Sequence, residues 1–223
     1  VELRHSFKGQ FTTTINYTVT NDVIAQILKQ NTEQRITFLT IDNVAEFRNI
    51  GIAINAPIKP VKWWNGNVFV NVFNNRFTGT YFNSFTGNND PINIEYTSFM
   101  VNVTNSFTFK KGWAAEIGGF YRAKTVEQLN ISQPMYFMNL GGQKQVLKGK
   151  GTLRMSIRDP FHWQQYRGST RYSDIDMKIH NKWDNRNVTV TFSYRFGKNT
   201  VAQARRRSTG ANEEQNRAGG SQQ

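Results

Sequence analysis

The sequence predicts an all-β fold in which about eight antiparallel strands follow one another as a meander. Apolar and polar residues alternate repeatedly, and long connections alternate with short ones along the 223 residues. Strict alternation indicates a strand whose two faces meet different surroundings. The last predicted strand, 188–196, shows this most clearly, because Val190 and Phe192 share one face while Thr189 and Thr191 share the other.

Seven further segments with similar alternation precede that strand, and the one near 134–147 is less regular than the others. They lie near residues 10–20, 50–58, 64–72, 99–109, 113–121, 134–147 and 153–157. The predicted total of eight strands follows from these segments together with the last one.

The connections between the strands indicate a transmembrane β-barrel. Long links are predicted at 21–45, 75–93, 124–133 and 160–186, and short turns at 57–62, 110–112 and 148–150. Outer-membrane barrels have tight periplasmic turns and extended extracellular loops, whereas a soluble β-sandwich has no reason to keep all its long loops at one end. We also expect any hairpin within 161–184 to extend the barrel wall above the membrane.

The composition narrows the possible classes of protein. No run of about 18 apolar residues occurs, which excludes a transmembrane helix but not a barrel, whose strands need only about 9 to 11 alternating residues. Cysteine is absent, so the sequence has no disulfide, thiolate metal site or cysteine nucleophile. The segment 1–7 does not have the pattern of a signal peptide, and we expect the N-terminus of the exported protein to lie upstream.

The net charge of +13 would ordinarily suggest nucleic acid or an anionic surface as a partner. Part of this charge lies after residue 197, and no helix gathers the remainder into one stripe. We therefore expect no nucleic-acid partner and assign the charge to a polar lumen and a solvated surface. Because residues 198–223 contain almost no apolar residue, the chain divides into a barrel portion, 1–197, and a disordered periplasmic tail, 198–223.

Aromatic residues at the short-turn end favour lipid on the apolar face of the strands. The residues concerned are Trp63, Trp64, Phe109, Trp113 and Phe196. Outer-membrane barrels carry an aromatic girdle at the membrane interface, so outer-membrane lipid is a predicted partner. On this interpretation the polar face, which includes Arg154 and Arg195, borders a water-filled interior. The alternative, that these aromatic residues form an ordinary core at the strand ends, stays open.

The sequence offers no candidate for catalysis. His5, His162 and His180 are scattered without metal-ligand spacing, so no metal site and no cofactor are expected. Asp174 and Asp176 are close in sequence, but a loop hairpin would leave both carboxylates in water. We therefore expect a protein that is not an enzyme.

Aromatic residues in two of the long links are the candidates for ligand contact. Tyr81, Phe82 and Phe85 fall in one link, and Trp163 and Tyr166 fall in another. Exposed aromatic side chains supply contact area at a small cost in conformational entropy. The alternative is that these side chains pack the loops together over the mouth of the barrel.

Several motifs resemble a known family of membrane proteins. They are the segments 176–183 (DMKIHNKW), 188–197 (VTVTFSYRFG), 62–64 (KWW), 105–112 (NSFTFKKG) and 157–161 (IRDPF), with the arginine-rich tail. Together they are similar to the C-terminal part of the Bacteroidetes outer-membrane β-barrel family related to TonB-dependent receptors. The resemblance covers most of the chain.

The resemblance implies a 22-stranded barrel of which this chain supplies the last third, with a plug domain upstream. It implies uptake of a bulky solute through the plugged lumen, energised by the TonB complex acting through that plug. Two further partners are implied: the barrel-assembly machinery, which reads a terminal aromatic residue such as Phe196, and a surface lipoprotein over the mouth.

Two other hypotheses stay open beside the receptor fragment. A stand-alone eight-stranded barrel with a structural or surface-interaction role is permitted, because eight strands can close. A soluble β protein that binds an anionic ligand through its basic surface is the third. For the fragment alone we expect an open curved sheet, or an artificial closure, with strand edges at 10–20 and 188–196.

Overall fold

The computed structural model describes residues 1–31, 33–83, 86–172 and 175–196. The chain divides into two compact units, Val1–Ser193 and Tyr194–Gln223, and only residues 194–196 of the second unit are described. The predicted tail, 198–223, and the candidate residue Phe85 therefore lie outside the described residues. The described residues include no helix that is long and apolar enough to cross a membrane.

The all-β prediction is confirmed, and the described residues form thirteen strands. They are β1 (Glu2–Phe7), β2 (Phe11–Asn31), β3 (Ile36–Val61), β4 (Trp64–Asn83), β5 (Asn88–Thr108), β6 (Trp113–Arg122), β7 (Thr125–Glu127), β8 (Asn130–Ser132), β9 (Met135–Val146), β10 (Gly151–Arg158), β11 (Tyr166–Tyr172), β12 (Ile175–Asn181) and β13 (Asn187–Tyr194). Two single-turn 3-10 helices lie at Lys110–Gly112 and Leu147–Gly149.

Nine of these strands form one antiparallel sheet. Their order is β1-β2-β3-β4-β5-β6-β9-β10-β13, so neighbours in the sheet follow one another along the chain, as the meander prediction requires. Within the described residues the sheet does not close: its edges are β1 and β13. The predicted edge near 188–196 is therefore confirmed.

The predicted count of eight strands is wrong, and so is the predicted edge at 10–20. The eight predicted strands are all present, but β1 pairs with β2 from Glu2 opposite Asn16 to Phe7 opposite Phe11 and adds a ninth. The sequence pattern did not reveal β1 because Arg4 is followed by His5 in a segment of only six residues, which weakens the apolar alternation.

Two of the predicted long links are not loops, since the strands continue through them. β2 and β3 stay paired as far as Asn31 opposite Ile36, with a β-bulge between Thr20 and Val23. β4 and β5 stay paired as far as Asn83 opposite Asn88. The predictions of loops at 21–45 and 75–93 are therefore wrong. The strands stay paired beyond the residues in which apolar and polar side chains alternate.

The other two long links build a second sheet. Its order is β12-β11-β8-β7, and the predicted hairpin within 161–184 is confirmed as β11 and β12. This sheet packs on the extended parts of β2 to β5 and encloses the buried core of the molecule. The core consists of Ala25, Ile27, Leu28, Ala45, Phe77, Tyr81, Ile92, Val126, Leu129, Tyr172 and Ile175.

Three of the short turns share one chemistry. Lys8-Gly9, Lys111-Gly112 and Lys148-Gly149 all have positive φ, which is the left-handed region that glycine adopts without steric cost. These turns place the ends of successive strand pairs along one edge of the nine-stranded sheet. The predicted short connections at 110–112 and 148–150 are confirmed, whereas the one at 57–62 is wrong in position, because β3 continues to Val61 and the chain turns at 62–63.

Candidate membrane-spanning wall and lumen face

The apolar face of the nine-stranded sheet is exposed over its whole width. Val190 is 63% exposed and Ile52 is 41% exposed, so neither belongs to a dry interior. Other large exposed apolar residues of this face are Ile15, Tyr17, Ile50, Ile54, Val72, Phe99, Ile117, Tyr121, Leu153, Met155, Val188 and Phe192. Water-soluble proteins rarely expose a continuous apolar surface of this extent, so the face is suited to contact with hydrocarbon.

Aromatic rings form a row at the short-turn end of this face. The Trp63 ring centroid lies 6.1 Å from that of Phe107 and 6.3 Å from that of Phe109, and Trp64 lies 6.0 Å from Phe107. On the neighbouring strands the Lys144 ammonium lies 4.6 Å above the Trp113 ring. We call Trp63, Trp64, Phe107, Phe109 and Trp113 the lower aromatic row.

A second row crosses the same face near the long hairpins. Consecutive ring centroids are separated by 5.6 Å from Phe99 to Tyr121, 6.4 Å from Tyr121 to Tyr136, and 5.8 Å from Tyr136 to Trp163. Phe161 extends the row, with its centroid 4.7 Å from that of Trp163. We call these five residues the upper aromatic row, which the sequence reasoning missed.

The spacing of the two rows is somewhat less than the height of the apolar band of an outer-membrane barrel. Phe99 and Phe107 are eight positions apart on β5, and Trp113 and Tyr121 are eight positions apart on β6. Eight residues of strand span about 27 Å, or roughly 20 Å along the normal for a tilt of about 40°. The apolar band of an outer-membrane barrel is about 25 Å tall and is flanked by aromatic girdles.

The opposite face of the sheet is polar and carries a ladder of asparagine side chains. The Asn16 amide donates to the side-chain oxygen of Asn49, and Asn49 donates to Asn75 at 2.6 Å. Asn75 in turn donates to the backbone carbonyl of Val126 on the second sheet at 3.2 Å. Amide groups can donate and accept at once, so this ladder satisfies the polar face between strands and suits a water-filled lumen.

A trough of about 810 Å³ lies on this polar face over β5, β6, β9 and β10. Its lining includes Glu116, Gly118, Gly141 and Arg154, and the Arg154 guanidinium donates to the Gln143 side-chain oxygen at 3.1 Å. The glycines leave room above the backbone, while the amides and charges offer hydrogen bonds. The stacked rings of Phe120 and Phe137 line it too, so the trough offers polar groups to water or a solute beside an aromatic surface. Among the described residues no cluster of potential metal ligands occurs.

The aromatic residues predicted for ligand contact occupy different settings. Tyr81 is 1% exposed in the core, where its ring lies 5.8 Å from that of Tyr172, whereas the neighbouring Phe82 is 56% exposed. Tyr166 accepts a hydrogen bond from the Asn130 amide, and burial raises the pKa of its phenol. Trp163 belongs to the upper aromatic row, and its backbone N–H donates to the Asp159 carboxylate at 2.9 Å.

The residues predicted for the girdle are placed as follows. Trp63 and Trp113 are half-exposed at the short-turn end, and the Trp64 indole N–H donates to the Asn105 side-chain oxygen at 2.9 Å. Phe196 belongs to the second compact unit, where its ring meets that of Tyr194 with centroids 4.6 Å apart. The upper row could have been found from the sequence, because Phe99 and Tyr121 stand eight positions from lower-row residues.

An antiparallel sheet with an exposed apolar band between two aromatic rows, and a polar opposite face, defines a membrane-spanning β wall. The family model for the outer membrane protein beta-barrel family matches residues 1–194, and the chain belongs to that family. Its location is the outer membrane, so the hypothesis of a soluble β protein is wrong. No curated protein and no solved structure matched the chain.

Proposed function

We propose that the nine-stranded sheet is part of the wall of a larger barrel, in a TonB-dependent receptor-like protein that takes up a bulky solute. The observation that carries this proposal is the state of the sheet edges. Among the described residues β1 pairs only with β2, and β13 only with β10. Both edge strands are exposed along their length.

An open edge is costly inside a bilayer. Hydrocarbon offers no partner to the free N–H and C=O groups of an edge strand, and each unsatisfied group costs several kcal/mol. Further strands must therefore pair with β1 and β13. The number of strands points the same way, because bacterial single-chain barrels have an even number and this sheet has nine.

The polar face supports a transport function for the wall. Its asparagine ladder and the trough at Glu116 and Arg154 offer hydrogen bonds without a catalytic arrangement of side chains. A polar solute that exchanges water for such groups can pass along the wall without being bound too tightly. Energised uptake, the plug and the TonB complex enter the proposal through the resemblance of the sequence motifs.

Cross-linking of the edges in the full-length protein tests the proposed size of the barrel. Ser6→Cys is combined in turn with Thr189→Cys, Thr191→Cys or Ser193→Cys, all on the polar faces of β1 and β13, and treated with a short bifunctional maleimide. The control pair, Thr12→Cys with Asn55→Cys, occupies facing positions of β2 and β3. We expect the control pair to cross-link within one chain and the edge pairs to remain unlinked.

Efficient intramolecular cross-linking of an edge pair would instead establish a small closed barrel, the alternative with a structural role. A second measurement addresses transport: the purified full-length protein should bind the soluble periplasmic domain of TonB. A larger barrel that fails to bind this domain would contradict the receptor function while leaving the wall intact.

A further inference from the structure

Lysine residues gather at the short turns of the nine-stranded sheet. Every one of the four turns, which join β1 to β2, β3 to β4, β5 to β6 and β9 to β10, carries at least one. We call these residues the lysine collar: Lys8, Lys59, Lys62, Lys110, Lys111, Lys148 and Lys150. All seven side chains are exposed.

The positive charge of the collar is not balanced by nearby carboxylates. The segments 5–13, 56–66, 107–115 and 144–153, which contain the four turns, include no aspartate or glutamate. None of the ion pairs found in the described part of the chain involves a collar lysine. The collar is therefore an uncompensated cationic rim.

The depth of the collar follows from its aromatic neighbours. The Lys8 ammonium lies 5.3 Å from the centroid of the Phe7 ring, and Lys110 and Lys111 separate Phe109 from Trp113 of the lower aromatic row. Aromatic girdles lie at the level of the lipid headgroups, and lysine side chains extend from such positions toward the headgroup phosphates. Short turns of outer-membrane barrels face the periplasm, which assigns the collar to the inner leaflet.

We propose that the lysine collar binds the phosphate groups of anionic phospholipids in the periplasmic leaflet. Ammonium and phosphate form charge-assisted hydrogen bonds, and basic residues beside a membrane favour anionic over zwitterionic headgroups. The turns follow one another at intervals of two strands, or about 10 Å, so each turn meets its own headgroup. This spread along the rim suits a row of lipids better than one compact multivalent ligand.

Lipid retention by the full-length protein tests the proposal. The protein is reconstituted in vesicles of equal parts phosphatidylglycerol and phosphatidylcholine, extracted mildly, and its retained lipids are quantified. We expect retained phosphatidylglycerol to be enriched about fivefold over the bulk ratio. Enrichment should fall to about half of that value in K62Q/K110Q/K150Q, which removes one charge from each of three turns and leaves four collar lysines.

The matched control removes three exposed cations from the region of β11 and β12: Arg167→Gln, Lys178→Gln and Lys182→Gln. This variant should retain the full enrichment. Equal loss of enrichment in both variants would mean that net charge alone attracts the lipid, and would overturn the proposal. If the collar variant does not assemble, a salt titration of the parent protein tests the proposal instead. Enrichment of phosphatidylglycerol must decline as the ionic strength rises toward about 0.5 M, and constant enrichment would overturn the proposal.

The anion that the collar binds could also be inorganic phosphate in solution, which has the same charged oxygen atoms as a lipid headgroup. In vesicles of phosphatidylcholine alone, inorganic phosphate should leave the thermal stability of the parent protein unchanged, whereas phosphatidylglycerol should raise it. Equal stabilisation by inorganic phosphate would define a general anion site and contradict a lipid site. This proposal depends on the outer-membrane location and not on the identity of the transported solute.

Discussion

At the scale of single residues, Tyr172 joins the two sheets. Its hydroxyl group donates to the backbone carbonyl of Leu28 at 2.9 Å and accepts from the backbone N–H of Leu28 at 2.5 Å. Both residues are buried, so neither hydrogen bond competes with bulk water. The hydroxyl therefore fastens the second sheet to the extended part of β2.

Tyr172→Phe should loosen this attachment without unfolding the membrane-spanning band. The loss of a buried hydrogen-bonding partner costs about 1–3 kcal/mol, and here the cost falls on the contact between the sheets. Limited proteolysis and hydrogen exchange should show faster cleavage and exchange within 166–181. Tyr136→Phe, on the exposed apolar face, is the control and should leave both unchanged. Unaltered protection in Tyr172→Phe would mean that the other contacts between the sheets, such as the hydrogen bond from Asn75 to Val126, hold them together without the Tyr172 hydroxyl.

The sequence did not predict whether a given aromatic residue is buried or exposed. Tyr81 and Phe82 are neighbours of the same chemical type, yet one is buried and the other exposed. The difference arises because Tyr172, distant in sequence, packs on one face of β4 only. Periodicity predicts which residues share a face, but it does not reveal which tertiary partner covers that face.

At the scale of elements, β5 has one face toward the membrane and the other toward the lumen. Val101 and Val103 lie on the apolar face between Phe99 of the upper row and Phe107 of the lower row. Thr104 lies on the polar face and lines the trough. Adjacent positions of one strand therefore face hydrocarbon and water.

The pair Val103→Arg and Thr104→Arg measures this difference directly. Position 103 is central between the two aromatic rows, where an arginine on the lipid face costs about 2–4 kcal/mol. The same arginine at position 104 keeps its guanidinium in water and should have little effect. Equilibrium unfolding in urea, after assembly in vesicles, should show destabilisation of the first variant only. Equal destabilisation of both would contradict the assignment of the faces.

Strand prediction found eight of the nine strands of the large sheet, and outside the membrane band it found only the hairpin of β11 and β12. All eight segments that were predicted from alternation are strands, because lipid on one face and water on the other favour that pattern. Above the band, β2 to β5 continue with the second sheet against one face, and the contrast between the faces becomes irregular. β7 and β8 have three residues each, too few for alternation to show.

At the scale of the whole molecule, the sheet is a wall with two incompatible faces. Its exposed apolar side is stable only in hydrocarbon, and its polar side only in contact with water or another polar surface. Membership of the outer membrane protein beta-barrel family, which covers residues 1–194, agrees with this division. In the larger barrel that we propose, the open edges at β1 and β13 are the places where further strands would pair.

Accessibility of single cysteines along β5 tests the two-faced wall most directly. In intact outer membranes, a water-soluble maleimide should label Asn102→Cys, Thr104→Cys and Ser106→Cys on the polar face. It should leave Phe99→Cys, Val101→Cys and Val103→Cys unlabelled until detergent is added, because lipid covers them. Rapid labelling of the three apolar-face variants in the intact membrane, with protection of the other three, would contradict the account.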